Sequence, residues 1–420
     1  MSARDIDQVL LQSVANDAGN GHQGNPTWTV LLMTDSCIEE RERLVSLKFP
    51  LRIGLTVTSL VFTAGCTLPG TTSTDVTATT TIDSNPATTT ISTPSADLTG
   101  IKTYLLDQAQ RLQESTATLQ AAANQYYALA EAADFDYAAL WQEQHAAVSD
   151  ILAAAQEAWL VASPGYEKME GIVAGTAELA NFDVILDAGS SGADDPENAV
   201  PFDLTLPNGE VLPKPGNLFG VTESALWGTE SAYAITDVTA DFDGNGTVDF
   251  GEALPEANVL KAAADALNSY AVELHDAAEV WNPNPTDAFT ALVVMVPTMN
   301  EYFASWRDSR FVAGESSTQR DFVAISRLAD IGDILSGLEV VYGEVQPMVD
   351  TVDAAQGEQI ATGLADLKAF VADIHEQEQS GKRYTPEEAD LLGAEAQNRA
   401  TTVTGQISQV AAQLGITIDE

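Results

Sequence analysis

From Asp241 the sequence reads D-F-D-G-N-G-T-V-D-F-G-E, twelve residues that put oxygen-bearing side chains at alternate positions and close on a glutamate. A hard cation takes six to eight oxygen ligands on a flexible shell, and short acidic or amide side chains at this spacing turn inward to supply them. Asp241, Asp243 and Asn245 are each expected to give a side-chain oxygen, Thr247 its backbone carbonyl, Asp249 an oxygen acting through water, and Glu252 both carboxylate oxygens. Gly246 falls where the loop needs a positive φ. The alternative, an acidic surface turn without an ion, would leave clustered carboxylates repelling one another. Calcium is the expected cofactor.

Loops of this EF-hand type usually come in pairs with an uninterrupted exit helix. Here Pro255 follows closely after the last ligand and no second such loop occurs in the chain. A lone loop argues for a structural staple rather than a sensor, with Pro255 tolerated only in the first turn of a following helix.

Other carboxylates recur at one-turn spacing: Glu167 with Glu170, and Asp183 with Asp187 if that piece is helical. Such pairs either converge on one ion or form a solvated acidic face. His145, four residues from Trp141, is the only histidine between Cys66 and the calcium loop and reads as a structural residue or a ligand. The zinc-peptidase pattern H-E-x-x-H is missing, since His375-Glu376 is followed by Gln379. Arg327 with Asp330 reads as an i, i+3 ion pair.

Phe219-Gly220-Val-Thr-Glu223-Ser-Ala-Leu226-Trp227-Gly228 resembles the signature of the imelysin and EfeO-like proteins, in which G-x-H-x-x-E runs into Leu-Trp-Gly. Glu223, Leu226, Trp227 and Gly228 match, while Gly220 stands at the family's histidine. The stretch Tyr166-Glu167-x-x-Glu170 followed by Asp183 and Asp187 is similar to the same family, as are MVPTMNEYFASWRDSRFV and FVAISRLADIGDILSGLEVVYGEV. The resemblance implies an all-α fold of two helical bundles meeting at a cleft. It also implies a metal held by Glu223, Glu170 and Asp187 with help from His145, a link to iron uptake, and a membrane iron-transport partner. Oxygen-rich ligation suits Fe(III), Mn or Ca rather than Zn. The family is also classed among metallopeptidases; without H-E-x-x-H and with Gly220 at the motif histidine, the reading is of a binding protein with no catalytic residues assigned. The alternatives are a calcium-stabilised surface module with an inactive cleft and, behind it, a metallopeptidase.

These groups have to be positioned by helices. Leu105, Ala109, Leu112, Thr116 and Leu119 recur at three- and four-residue steps, and a second stripe runs through Asp136 to Ala162. The helix bearing Glu223 is expected to feed directly into the calcium loop. Helices are also expected over 257–281, 288–311, 317–337, 338–352, 358–379 and 385–414, with Ser317 opening one and Thr385 capping another ahead of Pro386. Residues 188–217 read as a long loop holding a small hairpin about Asn208-Gly209. The expected organisation is a first bundle over 101–240, the calcium loop at 241–252 and a second bundle over 253–420.

Upstream, residues 48–66 read as a secretory signal with Lys48 and Arg52 before an apolar run, ending Thr63-Ala-Gly-Cys66. It resembles a bacterial lipoprotein signal, which makes Cys66 the expected lipidation site and the location extracytoplasmic, anchored to a membrane. Residues 1–47 read as a mis-called extension, and the Thr-rich stretch 67–100 as a disordered tether. Formal net charge is −44, from 18 Lys plus Arg against 62 Asp plus Glu. That balance excludes nucleic acid as a partner and favours divalent cations; a saline habitat is a second explanation of the charge.

Overall fold

The computed structural model describes residues 97–418. The extension, the signal, Cys66 and nearly all of the tether lie outside the described residues. The fold is all-α, and among the described residues no helix is long and apolar enough to cross a membrane.

Helix α1 (Thr99–Ala132) buries Ile101, Leu105, Leu112, Leu119 and Tyr126 on one face, the stripe expected from the sequence. Asp134 and Phe135 then take positive φ angles of 51° and 58°, which reverses the chain, and the Asp136 side chain caps α2 (Tyr137–Val173) by accepting from the Ala139 N–H. Helix α2 continues through Pro164-Gly165. Consequently Trp159, Glu167 and Glu170 ride on one rigid element. A short α3 (Ala180–Asp183) continues into a five-residue π-helical turn, Val184–Ala188.

The long loop carries the expected hairpin: β1 (Leu204–Thr205) pairs antiparallel with β2 (Val211–Leu212), and Gly209 supplies a φ of 89° at the tip. Helix α4 (Leu218–Leu226) follows, capped by the Asn217 side chain, which accepts from the Gly220 N–H at 2.7 Å. Contrary to the expectation from the sequence, this helix does not feed directly into the loop at 241–252. A turn intervenes, and the base of the loop is closed by β3 (Ala234–Ile235) pairing antiparallel with β4 (Leu254–Pro255). Pro255 therefore belongs to a strand rather than to a helix's first turn, and Glu256 caps α5 (Ala257–Val280).

Helix α5, expected to open the second bundle, instead packs along α1. Two tyrosines fix its entry: Tyr126 donates to the Pro255 carbonyl at 2.9 Å, and Tyr137 accepts from the Ala257 N–H at 2.9 Å. The second bundle is formed by α6 (Pro285–Met295), α7 (Met299–Asp308), α8 (Arg327–Gln379) and α9 (Pro386–Leu414). The expected start of a helix at Ser317 is overturned: residues 317–325 are irregular, and Ser326 caps α8. Helix α8 is one run that reverses at Asp353 (φ −156°, ψ 104°). The reversal brings Tyr342 within 2.7 Å of the Gly357 carbonyl and Lys368 within 2.6 Å of Glu339. Thr385 and Glu388 form a capping box at the start of α9, where the sequence placed the cap.

One apolar core runs through both bundles. Helices α2 and α8 cross with their backbones in contact, because a Cβ on Gly337 would stand 2.2 Å from the Lys168 carbonyl oxygen. Such close approach needs glycine. It also sets the start of α8 against the carboxylates of α2.

Candidate metal centre

Five carboxylates, Glu167, Glu170, Asp183, Asp187 and Asp330, lie buried where α2, the π-helical turn and the start of α8 meet. The π turn explains why Asp187 faces this cluster: an i to i+5 turn inserts an extra residue and re-aims the side chains after it, a device frequent at functional sites. Arg327 is buried with them. It contacts Glu167 at 3.2 Å, Asp330 at 3.1 Å and Asp187 at 3.8 Å, and its guanidinium lies 4.1 Å from the Phe322 ring centre and 4.7 Å from that of Tyr302. Tyr302 donates to Glu170 Oε1 at 2.7 Å, and Tyr166 donates to Asp183 at 2.7 Å.

These bonds leave groups over. Glu167 Oε2, Glu170 Oε2 and the Arg327 Nε–H are buried without a hydrogen-bond partner. Oxygens of Glu167, Glu170 and Asp187 all lie within 4.8 Å of one another, close enough to share one ion. Desolvation raises the carboxyl of Asp183 to about 7 and that of Asp330 to about 6, and holds Glu167 and Asp187 well above the ordinary carboxylate range; neighbouring acids add to the rise at each. Burial of like charges without enough counter-charge is the common cause.

Glu170, Asp187 and Arg327 line a cleft of about 570 Å³, walled opposite by Tyr302 and Ser305 of α7 and by Thr318, Arg320 and Asp321 of the irregular segment. Of the residues singled out from the sequence as ligands of this second metal, Glu170 and Asp187 come together here. His145 does not: it is exposed, its ring 6.0 Å from Trp141, on a different part of α2. On one continuous helix, at about 1.5 Å of rise per residue, the separation in sequence alone carries His145 far from Glu167 and Glu170.

Glu223 is close by but differently employed. Its Oε2 accepts from the Phe322 N–H at 2.7 Å, and its Oε1 from those of Val323 and Ala324 at 3.0 and 2.8 Å. Phe322 has a φ of 56°, a strained conformation for a bulky residue. The three-fold clamp holds that conformation and with it the ring over Arg327. Burial raises the Glu223 carboxyl to about 8, although the three N–H groups pull the other way. Gly220 is spoken for as well: a Cβ there would stand 2.5 Å from Asp321 Oδ2. The space above position 220 belongs to Asp321, a residue with no sequence signal.

Glu223→Gln is expected to lower stability by about 1–3 kcal/mol, since the amide nitrogen turns a donor toward backbone donors. Thermal melting checks this. A variant that melts normally yet loses a bound cation would make Glu223 a ligand instead of a clamp.

In the loop at 241–252, oxygens of Asp241, Asp243 and Glu252 lie within 4.8 Å of one another. The two oxygens of Asp241 accept from the N–H groups of Gly244, Asn245 and Gly246, and Glu252 accepts from those of Phe242, Asp243 and Asp249. Gly246 has a φ of 92°. The loop is tied to the body by Gln156, which donates to the Gly251 carbonyl at 2.8 Å, and by Arg310, stacked 3.6 Å from the Phe250 ring centre.

Together these features define a helical protein of two bundles sharing one core, with a carboxylate-rich cleft organised around a buried arginine. The family model of imelysin (peptidase M75) matches residues 103–414, and the chain belongs to the imelysin family. That family is generally extracytoplasmic. A solved imelysin-like protein from Psychrobacter arcticum 273-4 is 16% identical, covering 79% of this chain and 100% of its own, with a TM-score of 0.39. No curated protein matches the chain.

Proposed function

We propose that the protein is a lipid-anchored, extracytoplasmic metal-binding protein of the imelysin type that serves iron uptake, handing its cargo to a membrane transport partner. The observation that carries the reading is the pair of unpartnered, buried oxygens, Glu167 Oε2 and Glu170 Oε2, beside Asp187, where Glu170 and Asp187 line an open cleft and Glu167 lies behind them. Buried carboxylate oxygens without donors are costly, and a cation meets that need. The donor set is all oxygen, which fits Fe(III) or Mn and disfavours Zn. Glu167, Glu170 and Asp187 would hold the ion, and Tyr302 would orient Glu170 through its hydroxyl.

The test is equilibrium dialysis of the protein against Fe(III) offered as a weak chelate, with metal counted by plasma emission. Glu170→Gln combined with Asp187→Asn is expected to weaken retention at least about 100-fold, as two charged ligands are lost. Equal retention by the double variant would refute the assignment.

The loop at 241–252 is proposed to hold calcium as a structural ion, through Asp241, Asp243, Asn245, Thr247, Asp249 and Glu252. An ion bound only by the folded state at 100 times its Kd adds about 2.7 kcal/mol. Chelation by EDTA is therefore expected to lower the melting temperature by about 5 °C or more. An unchanged melting curve would count against calcium in this loop.

A further inference from the structure

Two unmet needs of opposite sign share the same cleft. Glu170 Oε2 is a buried acceptor without a donor, and the Arg327 Nε–H is a buried donor without an acceptor; both residues line the cavity. A bare cation answers the carboxylates and adds repulsion at the guanidinium. An anion alone does the reverse. Only a cation and an anion together answer both.

Size points the same way. At about 570 Å³ the cleft is in the range of small-molecule sites and far larger than one ion. A second guanidinium stands at its wall: Arg320, partly exposed, donates to the Pro215 carbonyl at 3.1 Å and lies 3.6 Å from Asp321. In a chain with so few basic residues, two arginines on one acidic cleft are out of proportion to chance. Arginine is also the side chain best suited to planar oxyanions.

We infer that the cleft takes its cation paired with a small oxyanion, carboxylate or carbonate, that faces the Arg327 and Arg320 side while Glu170 and Asp187 face the metal. The inference rests on the cation-binding reading of the same site and names the form of the cargo. Two sources supply this anion chemistry: an organic polycarboxylate arriving as the metal's chelator, or free bicarbonate captured beside the metal.

Equilibrium dialysis of the full chain separates them. In one arm Fe(III) is supplied as its citrate complex with labelled citrate. In a second it is supplied as the uncharged tris-acetohydroxamate complex with labelled bicarbonate, and in a third as that complex without bicarbonate. Iron and citrate retained in equal amounts identify a chelate; iron retained in the second arm with labelled carbonate, and weakly in the third, identifies free bicarbonate. Arg320→Gln is expected to cut co-retention of the anion roughly tenfold or more, the worth of one charge-assisted hydrogen bond. Arg327→Lys, which keeps the charge and loses the Nε–H donor, is expected to do the same. Iron retained alone and equally in all arms overturns the inference and leaves cation binding intact. Anion retention unchanged in both variants overturns it too, and no iron in any arm overturns both readings.

Discussion

Arg327→Met lowers the stability of the cation-free protein by about 3–5 kcal/mol, the cost of leaving buried charges without their partner. Among the described residues the arginine is the one basic group in contact with Glu167, Asp187 and Asp330, and the side chains of all four residues are at least nine-tenths buried. Methionine fills the space of the aliphatic stem, so the loss reports chiefly the guanidinium, its ion pairs and its stacking on Tyr302 and Phe322 together. Because the acids can respond only by taking up protons, the variant should also bind more protons at neutral pH than the parent. A melting temperature lower by about 4–7 °C is the expected readout at this chain length. A wild-type melting curve would show that Arg327 is not what makes the buried cluster tolerable.

Raising the pH from 5 to 8.5 in the absence of metal should destabilise the protein, the opposite of the usual behaviour of carboxylates. Asp183 is raised to about 7, Asp330 to about 6 and Glu223 to about 8, in each case chiefly by burial. Between about pH 4, where the same groups lose their protons in the unfolded chain, and pH 6–8, the folded state holds protons that the unfolded state has shed. Stability changes with pH in proportion to the protons bound by the unfolded state minus those bound by the folded one, and that difference is negative here. The stabilisation is fully present near pH 4 and is lost as the pH climbs through the folded values. Each tenfold gain in a carboxylate's proton affinity on folding corresponds to about 1.4 kcal/mol, so a fall of several kcal/mol is expected by pH 8.5. A bound cation selects the ionised acids and should flatten the curve. Stability that rises steadily over the same interval in metal-free buffer would contradict the arrangement described.

Much of the local structure is legible in the amino-acid sequence. The helical stripes of α1 and α2, the hairpin at Asn208-Gly209 and the cap at Thr385 each follow from local rules. One-turn spacing marks Glu170 and Asp187 only within separate local pairs; that the two come together is legible only through a likeness to known sequences. What escapes is non-local. Arg327 reads along the chain as a partner of Asp330, three residues on; its contact with Glu167 spans 160 positions. Glu223 reads as a ligand through the family resemblance, whereas its partners in the structure are backbone N–H groups that no side-chain pattern encodes. Asp321 has no assignable role while 317–337 reads as a helix. The true conformation of that segment depends on the Glu223 clamp and not on propensity.

The packing of α5 has a consequence for how the chain folds. The first bundle joins α1 to α5 across more than a hundred intervening residues, while the second closes a shorter span, joining α7 to α9 across α8, whose two arms turn back on each other at Asp353. Closing a long loop costs more chain entropy than joining neighbours, and local contacts form faster. Each half therefore has a hairpin of neighbouring helices able to form early, α1 with α2 and the two arms of α8, and the cleft, which needs both halves, is expected to form only once they have met.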